Sequence, residues 1–468
     1  MLRVHNTLGD KKVPFKPNKA GIVRMYVCGP TVYGPAHIGH ARTYVAFDII
    51  RRYLEWKGFQ VKLVVNITDV HDDMIKVANE QNTTIFELSK RYTELFFKDM
   101  KALKIKEASF YPKVSEEIPS IIETIKLLEE KGYAYETADG IYFDISKFKG
   151  YGKLSGVKTK ESITGTRVAT DKYDKKKVQD FALWKKAKPS EPYWESPWGK
   201  GRPGWHIECS TMSSKYLGLP IDIHGGAVDL IFPHHENEIA QSEAAYGIKP
   251  FVKYWLHTGF LTINGQKMSK SLGNYISVPE LLANTDASVF RFFIATRHYR
   301  SKVDFSKEAM EHAKNTLDRL NDFIQRLYSV EGGANNKECS LMVALAKKEF
   351  EKAMDDDFNT PLAWKSIFVL ENKVNSFLSK EAFSKENAEE VIKFLKEINT
   401  IFDVLDTEKK SDEISNEDKE LILYREKLRK ERKFKEADEI REKLAAKGIM
   451  IFDTPQGPKW KLERKTKI

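Results

Sequence analysis

The first 70 residues alternate between short apolar segments and one long helical segment, and this order constrains the fold more than any other feature. Residues 21–28 (GIVRMYVC) are β-rich and stop at Gly29-Pro30. From Ile38 the apolar residues recur at three- and four-residue steps, and 59–68 (FQVKLVVNIT) form a second apolar strand. A strand–helix–strand unit of this length predicts a parallel α/β sheet.

The rest of the chain is divided by changes in pattern. Helices are expected over Asn79 to Lys104 and over 119–131, a Pro/Trp-rich stretch interrupts the α/β pattern, and 280–405 is nearly all helical, with a polar linker near 406–418. A chain of 468 residues is too long for one ordinary core. The predicted segments are 1–110 (first half of the sheet domain), 111–200 (insertion), 201–280 (second half), 281–405 (helical bundle) and 411–468 (small basic terminal domain).

Composition excludes several classes of protein. Hydrophobic residues make up 41% and charged residues 31%, a globular mixture, and no apolar run approaches the ~18 residues that a membrane span requires. The start of the chain has no apolar segment of the secretory type. Three cysteines cannot form a disulfide framework and indicate a reducing compartment, so we expect a cytoplasmic protein with no membrane association.

Positive charge is concentrated at the end of the chain. The net charge is +10, and residues 424–468 hold 15 Lys and Arg against 8 Asp and Glu. A basic terminal block is typical of a surface that binds a polyanion. A solvated basic helix without a partner has the same composition, and charge alone does not decide between the two.

The motif His37-Ile38-Gly39-His40 begins the first predicted helix, just after a strand end. A helix N-terminus presents unpaired backbone N–H groups and a positive dipole end to a phosphate, and Gly39 permits close approach of the backbone. Two imidazoles can donate hydrogen bonds to phosphate oxygens as charge develops. Taken alone, so short a motif is more typical of a helix cap.

A second motif, Lys267-Met268-Ser269-Lys270-Ser271, follows some 230 residues later, after the strand predicted at 259–263. Gly265 and Gly273 flank it. Two lysines around a serine in a flexible loop suit closure over a polyphosphate and neutralisation of a leaving pyrophosphate. An ordinary solvated basic loop is the commoner origin of such a pattern.

A third group of residues has the chemistry of metal ligands. Zinc takes thiolate, imidazole and carboxylate ligands, and His234 and Glu238 lie four residues apart, on one face of a helix. Buried cysteines and a histidine cap explain the same residues without a metal. The candidates are Cys28, Cys209, His234, His235, Glu236 and Glu238.

Together these motifs resemble those of class I aminoacyl-tRNA synthetases, and more closely the cysteinyl-tRNA synthetase family. The resemblance extends over nearly the whole chain. It is carried by MYVCGPTVYG (25–34), HIGHART (37–43), NITDV (66–70), GWHIECS (204–210), DIHGGAVDLIFPHHENEIAQ (222–241), KMSKSLGN (267–274), MDDDFNTP (354–361), and by ADEIREKL and DTPQGPKW in the tail.

The resemblance implies a Rossmann-type catalytic domain with a connective insertion, then a helical bundle and an anticodon-binding terminal domain. It implies activation of L-cysteine with ATP and transfer to the 3′ end of tRNA(Cys), with Mg²⁺ accompanying ATP, and we expect a monomer. By resemblance, Cys28, Cys209, His234 and Glu238 hold one zinc ion per subunit. The same resemblance implies catalytic roles for His37, His40, Lys267 and Lys270, ATP contacts for these four with Gly39 and Ser269, and substrate contacts for Thr31, Thr68, Trp205 and Asp229.

A zinc ion would explain how such an enzyme prefers cysteine to serine. An apolar pocket separates near-isosteres by no more than about 100-fold. A thiol that binds as a thiolate is a far stronger ligand than a serine hydroxyl. Four protein ligands plus a substrate thiolate imply either five-coordination or a displaced ligand, and the sequence leaves both open.

Two other functions remain compatible with parts of the sequence. One is a related ligase that joins activated cysteine to an amino sugar, against which the basic block at 411–468 argues. The other is a non-catalytic zinc protein that binds RNA, which would have no use for both phosphate motifs. Two segments, His71–Met74 and Tyr111–Ser115, depart from the family pattern, and Trp460 is a candidate either for base stacking or for a small core.

Overall fold

The structure is a computed structural model. It describes residues 1–157, 167–168, 180–189, 191–268, 273–380, 383–409, 415–454 and 457–462. The elements of the first part are β1 (Arg3–Asn6), β2 (Lys11–Pro14), β3 (Ile22–Val27), α1 (Ile38–Trp56), β4 (Gln60–Val65), α2 (Asp72–Glu80), α3 (Ile85–Ala102) and α4 (Ile118–Glu130). The insertion contributes β5 (Ala134–Thr137), β6 (Gly140–Phe143), β7 (Arg167–Val168), β8 (Asp180–Lys186) and β9 (Gly201–Pro203).

The chain then returns to the main sheet and continues into helices. The returning elements are α5 (Trp205–Leu217), β10 (Ile221–Ala227), α6 (Glu236–Tyr246), β11 (Val252–Thr258), β12 (Leu261–Ile263), β13 (Gln266–Lys267), α7 (Val278–Asn284), α8 (Ala287–Ala295) and β14 (Val303–Phe305). The remaining elements are α9 (Lys307–Tyr328), α10 (Lys337–Met354), α11 (Thr360–Leu378), α12 (Lys385–Phe402), α13 (Asn416–Lys430), α14 (Phe434–Ala446), β15 (Ile449–Thr454) and β16 (Gly457–Leu462).

The central sheet is parallel, with strand order β11-β10-β3-β4, which confirms the predicted α/β class. Helix α1 crosses from β3 to β4 and packs on the sheet. Its Phe47 lies against Gly225, where a Cβ would stand 2.2 Å from the Phe47 Cζ, so glycine is required for this close packing. Because the strands are parallel, their carboxyl ends meet at one edge, and ligands bind in open α/β sheets at that edge.

Two sequence expectations differ from the structure. The single helix expected from Asn79 to Lys104 is two helices, because Thr84 and Glu87 form a capping box that starts α3. The expectation that 280–405 is nearly all helical is confirmed except at β14. This strand pairs in parallel with β12, in a three-stranded sheet that is separate from the central one.

The helices α9 to α12 share a hydrophobic core with α1, and the tail after residue 415 has a small separate core. Buried side chains of α9 to α12 pack on one another and continue into the core around α1. In the tail, Ile422, Leu444, Ile449 and Ile451 form a separate cluster, and the half-buried Trp460 packs against it, as the small-core interpretation predicts. Within the described residues, none of the helices combines the length and apolar character that a bilayer crossing needs.

Candidate functional site

The start of α1 is built by its two histidines. His37 is the N-cap, and its Nδ1 accepts hydrogen bonds from the backbone N–H groups of Gly39 (3.1 Å) and His40 (3.3 Å). In return, the His37 N–H donates to His40 Nδ1 at 3.3 Å, and the two rings stack with centroids 3.7 Å apart. A ring nitrogen that accepts carries no proton, so each imidazole carries its proton on Nε2 and can donate from there. Burial lowers the pKa of His40 to about 4, which keeps this ring neutral at pH 7.

Gly39 makes this cap possible. A Cβ at Gly39 would lie 2.9 Å from both the Cε1 and the Nδ1 of His37, so a larger residue would displace the capping ring. Arg42, one turn further along α1, donates to the carbonyl oxygens of Tyr299 (2.9 Å), Ser301 (2.6 Å) and Gly259. Helix α1 is therefore tied to the segments that lie just before β12 and just before β14.

The sheet edge brings together the four side chains predicted as metal ligands. Cys28 follows β3, Cys209 lies on α5, and His234 and Glu238 lie just before and within α6. One donor atom from each lies within 4.8 Å of the others, and all four side chains are buried. His234 Nε2 lies 3.1 Å and Cys28 Sγ 3.8 Å from Glu238 Oε1. We call Cys28, Cys209, His234 and Glu238 the cavity cluster.

The cavity cluster is fixed from outside. His234 Nδ1 lies 2.9 Å from His206 Nδ1, and the Trp205 ring stacks on the His234 ring with centroids 4.4 Å apart. Cys209 Sγ lies 3.7 Å from Asn66 Oδ1. A metal-binding imidazole is usually held by a hydrogen bond to its second ring nitrogen. For His234, the stacked Trp205 ring adds a second restraint on the orientation of the imidazole.

Burial and the contact between Cys28 and Cys209 shift the pKa values of the two thiols in opposite directions. The pKa of Cys28 is raised, mainly by burial and then by the hydrogen bond between Cys28 and Cys209. Burial also opposes ionisation of Cys209, but the hydrogen bond with Cys28 and the charge of His234 outweigh it and lower the pKa of Cys209. Burial and the Cys209 charge raise the pKa of Glu238. Two buried thiols and a buried carboxylate ionise only at high cost unless a cation compensates them, and a divalent ion that accepts thiolate, imidazole and carboxylate ligands would do so.

A single cavity of about 360 Å³ joins the metal-ligand candidates to the helix start. Glu238 lies behind the cavity wall, whereas Lys267, on β13, is exposed at the cavity mouth. The sequence-predicted residues that line it are Cys28, Thr31, His37, Gly39, His40, Thr68, Trp205, Cys209, Asp229, His234 and Lys267. Of the predicted residues, Ser269 and Lys270 lie outside the described part of the chain.

The weaker substrate candidates take different places around the cavity. Thr68 is buried and donates its hydroxyl proton to Glu208 Oε2 at 3.0 Å, while accepting from Asn66 Nδ2 at 3.0 Å. Thr31 pairs with Thr68 as an isolated bridge. Asp229 also lines the cavity, and its side chain is exposed.

Two buried residues, Glu236 and His224, take places in the structure that the sequence does not indicate. Glu236 was among the metal-ligand candidates, but its carboxylate accepts from the N–H groups of Gly152 (2.9 Å), Leu154 (3.0 Å) and Ser155 (2.8 Å). It therefore holds the insertion rather than an ion. His224 was not considered, although its Nε2 lies 3.5 Å from both Cys28 Sγ and Glu238 Oε2. Its position in β10, directly before Gly225 and Gly226, was the available signal.

Comparison with known proteins gives a consistent result over the whole chain. Residues 14–315 match the family model "tRNA synthetases class I (C) catalytic domain", and 349–406 match the DALR domain. The cysteine–tRNA ligase of Thermococcus gammatolerans is 51% identical, covering 98% of this chain and 99% of its own, and that of Methanococcus maripaludis strain C7 is 47% identical over 97% and 98%. The chain belongs to the cysteine–tRNA ligase family.

The solved structures agree at the level of the fold. Methionyl-tRNA synthetase of Mycobacterium tuberculosis in complex with methionyl-adenylate superimposes with a TM-score of 0.66 at 15% identity, over 82% of this chain and 92% of that one. The chain thus shares the fold of that synthetase, and the matched family model assigns its catalytic domain to class I. Membership implies an amino acid, ATP and tRNA as substrates, and the cavity cluster is a group that can hold a metal ion.

Proposed function

We propose that this protein is a cysteine–tRNA ligase that works in two steps at the described cavity. The carboxylate of L-cysteine attacks the α-phosphorus of ATP, and the bond to the β-phosphate oxygen breaks to give cysteinyl-adenylate and pyrophosphate. The 2′-hydroxyl of the terminal adenosine of tRNA(Cys) then attacks the acyl carbon, loses its proton and releases AMP. The observation that carries the proposal is that one cavity contacts both the cavity cluster and the capped histidine pair.

The residue roles for the first step follow from charge and geometry. His37 and His40 donate from Nε2 to the oxygens of the α-phosphate as negative charge develops there, and α1 adds its N-terminal dipole. Gly39 keeps the His37 ring in its capping position. Lys267 is exposed at the cavity mouth, where an ammonium neutralises charge on the leaving pyrophosphate. Lys270 and Ser269 are assigned to the same loop from sequence, and Mg²⁺ is expected to accompany ATP.

The amino acid is selected at the inner end of the cavity. The cavity cluster holds one zinc ion per subunit, and when bound, this ion supplies a preference for thiolate sulfur over hydroxyl oxygen. Trp205 holds the His234 ring in place by stacking and forms part of the wall. Asp229 is an exposed part of the cavity lining, and its carboxylate suits the substrate ammonium or a ribose hydroxyl. Thr31 and Thr68 also line the cavity and are assigned to substrate binding.

The second step requires the tRNA to reach from this cavity to the tail. Residues 411–468 are proposed to bind the anticodon end through their basic side chains, and the helices between 281 and 405 to span the distance. The packing of Trp460 on the small core supports a structural role for that ring. We further propose a cytoplasmic location, in keeping with the buried free cysteines at the site, and a monomer.

The experiment that tests this function uses two assays on one preparation. Cysteine-dependent exchange of labelled pyrophosphate into ATP measures the first step, and charging of purified tRNA(Cys) measures both. The proposal expects both activities. Exchange without tRNA charging would indicate a ligase with another acceptor, such as an amino sugar, and absence of exchange would refute amino acid activation.

A further inference from the structure

A second set of ligand-type side chains lies directly behind the cavity cluster. One donor atom from each of Cys28, His224, His235 and Glu238 lies within 4.8 Å of the others, and all four side chains are buried. We call these four residues the inner cluster. Cys28 and Glu238 belong to both clusters, so the two sets share one thiol and one carboxylate.

The spacing of the inner cluster is that of a tetrahedral metal site. Bonds of about 2.0–2.3 Å from zinc to nitrogen, oxygen and sulfur place neighbouring donor atoms about 3.3–3.8 Å apart in a tetrahedron. Cys28 Sγ lies 3.2 Å from His235 Nε2 and 3.5 Å from His224 Nε2. Glu238 lies 3.8 Å from Cys28 and 3.5 Å from His224, and its Oε1 lies 3.9 Å from His235 Nε2. With Glu238 Oε1 as the carboxylate donor, four of the six edges lie close to the tetrahedral range before any ion is added, and the His224 distance is to Glu238 Oε2.

The histidines of the inner cluster are held with their Nε2 atoms towards it. His235 Nδ1 lies 2.8 Å from His257 Nε2, and His257 Nδ1 lies 2.7 Å from Thr7 Oγ1, a chain of the kind that fixes the orientation of a metal-binding imidazole. The His224 ring stacks on Trp255 with centroids 4.5 Å apart.

Two features distinguish the inner cluster from the cavity cluster. His224, His235 and Glu238 do not line the cavity and only Cys28 does, so this set resembles the closed structural zinc sites more than catalytic sites, which keep a position open to substrate. Its single thiolate and single carboxylate also balance the charge of a divalent ion, which suits complete burial. In addition, Glu238 Oε2, a fully buried atom facing His224, has no hydrogen-bond partner among the described residues.

We propose that the inner cluster is a second position for a divalent metal ion of the zinc class, used in place of the cavity cluster when that set lacks a ligand. Only one ion is bound at a time, because the two positions share Cys28 and Glu238. An ion in the inner position is retained by the protein, and Cys28 is its only ligand that lines the cavity. The proposal concerns metal binding alone, so it stands or fails independently of the ligase activity.

The test compares Cys209→Ser with Cys209→Ser/His224→Phe, both prepared without metal under reducing conditions and titrated with Co²⁺. Phenylalanine preserves the ring stacked on Trp255 and removes the ligand. We expect Cys209→Ser to bind about one equivalent of Co²⁺ with the charge-transfer band of one thiolate. The added His224→Phe should weaken binding by at least about 100-fold, the upper range for loss of a supporting group around a metal.

The matched control is His224→Phe alone, which should keep about one equivalent of Co²⁺ with two thiolates. Equal affinities of the single and double Cys209 variants would overturn the proposal, as would loss of metal from the control or from Cys209→Ser. If the double variant does not fold, X-ray absorption of zinc-loaded Cys209→Ser decides the matter. One sulfur and two imidazoles support the inner position, and one sulfur with one imidazole contradicts it.

Discussion

Substitutions at His37 can separate its two roles in the structure, the helix cap and the phosphate donor. Asparagine is a good N-cap residue and keeps an acceptor for the N–H groups of Gly39 and His40, but it cannot place a donor where His37 Nε2 lies. Alanine removes both functions. Loss of one positioned donor costs about 10²–10³-fold in rate, and loss of a cap costs about 0.5–2 kcal/mol of stability. We therefore expect the two variants to be equally slow, with only His37→Ala destabilised.

The assay is cysteine-dependent pyrophosphate exchange, run beside urea denaturation of the same preparations. Both variants should lose about 10²–10³-fold in exchange rate. The urea midpoint of His37→Asn should stay close to that of the unmodified protein, whereas that of His37→Ala should fall. If His37→Asn exchanged pyrophosphate at the unmodified rate, the ring would act only as a cap and the assigned donor role would be wrong.

Four further predictions follow from the same site. Lys267→Ala and Lys270→Ala should each slow pyrophosphate exchange by about 10²-fold at unchanged metal content, and an unaltered rate would count against the role of the loop. Cys209→Ser should raise the KM for cysteine at least about tenfold without changing that for ATP; unchanged kinetics for both would remove it from the selecting group. Deletion of 411–468 should reduce tRNA charging more than exchange, and equal losses would mean that the tail is structural. Burial lowers the pKa of His40 to about 4, so below about pH 6.5 the unfolded chain binds a proton at this residue that the folded chain does not. The thermal stability of the unmodified protein relative to that of His40→Gln should therefore decrease between about pH 7 and about pH 5. A difference that stays constant over this range would contradict the argument.

The sequence predicts the sheet well because its strands and crossover helix are local patterns. The apolar run at 21–28 and the periodic segment from Ile38 correspond to β3 and α1. The break between α2 and α3 was missed because apolar periodicity continues across it, and only the capping box at Thr84 marks the new start. β14 was missed because a three-residue strand has too few residues to show alternation, and its pairing with β12 is set by tertiary contacts.

The sequence predicts the four ligand candidates of the site, but it does not predict the roles of the side chains around them. Residue chemistry together with the family resemblance picked out four ligand candidates from three distant segments, and the fold brings all four to one sheet edge. Neither the residue chemistry nor the resemblance tells which other side chains turn towards these four ligand candidates. Glu236 and His224 illustrate this, since one carboxylate turns towards the insertion and one overlooked imidazole turns towards Cys28.

The most direct test of the account is pyrophosphate exchange measured with cysteine and with serine on the same zinc-loaded protein. The cavity cluster should favour the substrate thiolate over a hydroxyl by far more than the roughly 100-fold that shape alone provides, so serine should support almost no exchange. Removal of the metal with a chelator should abolish the exchange that depends on cysteine. Comparable exchange with both amino acids, or undiminished cysteine exchange in metal-free protein, would contradict selection by a metal ion at Cys28, Cys209, His234 and Glu238.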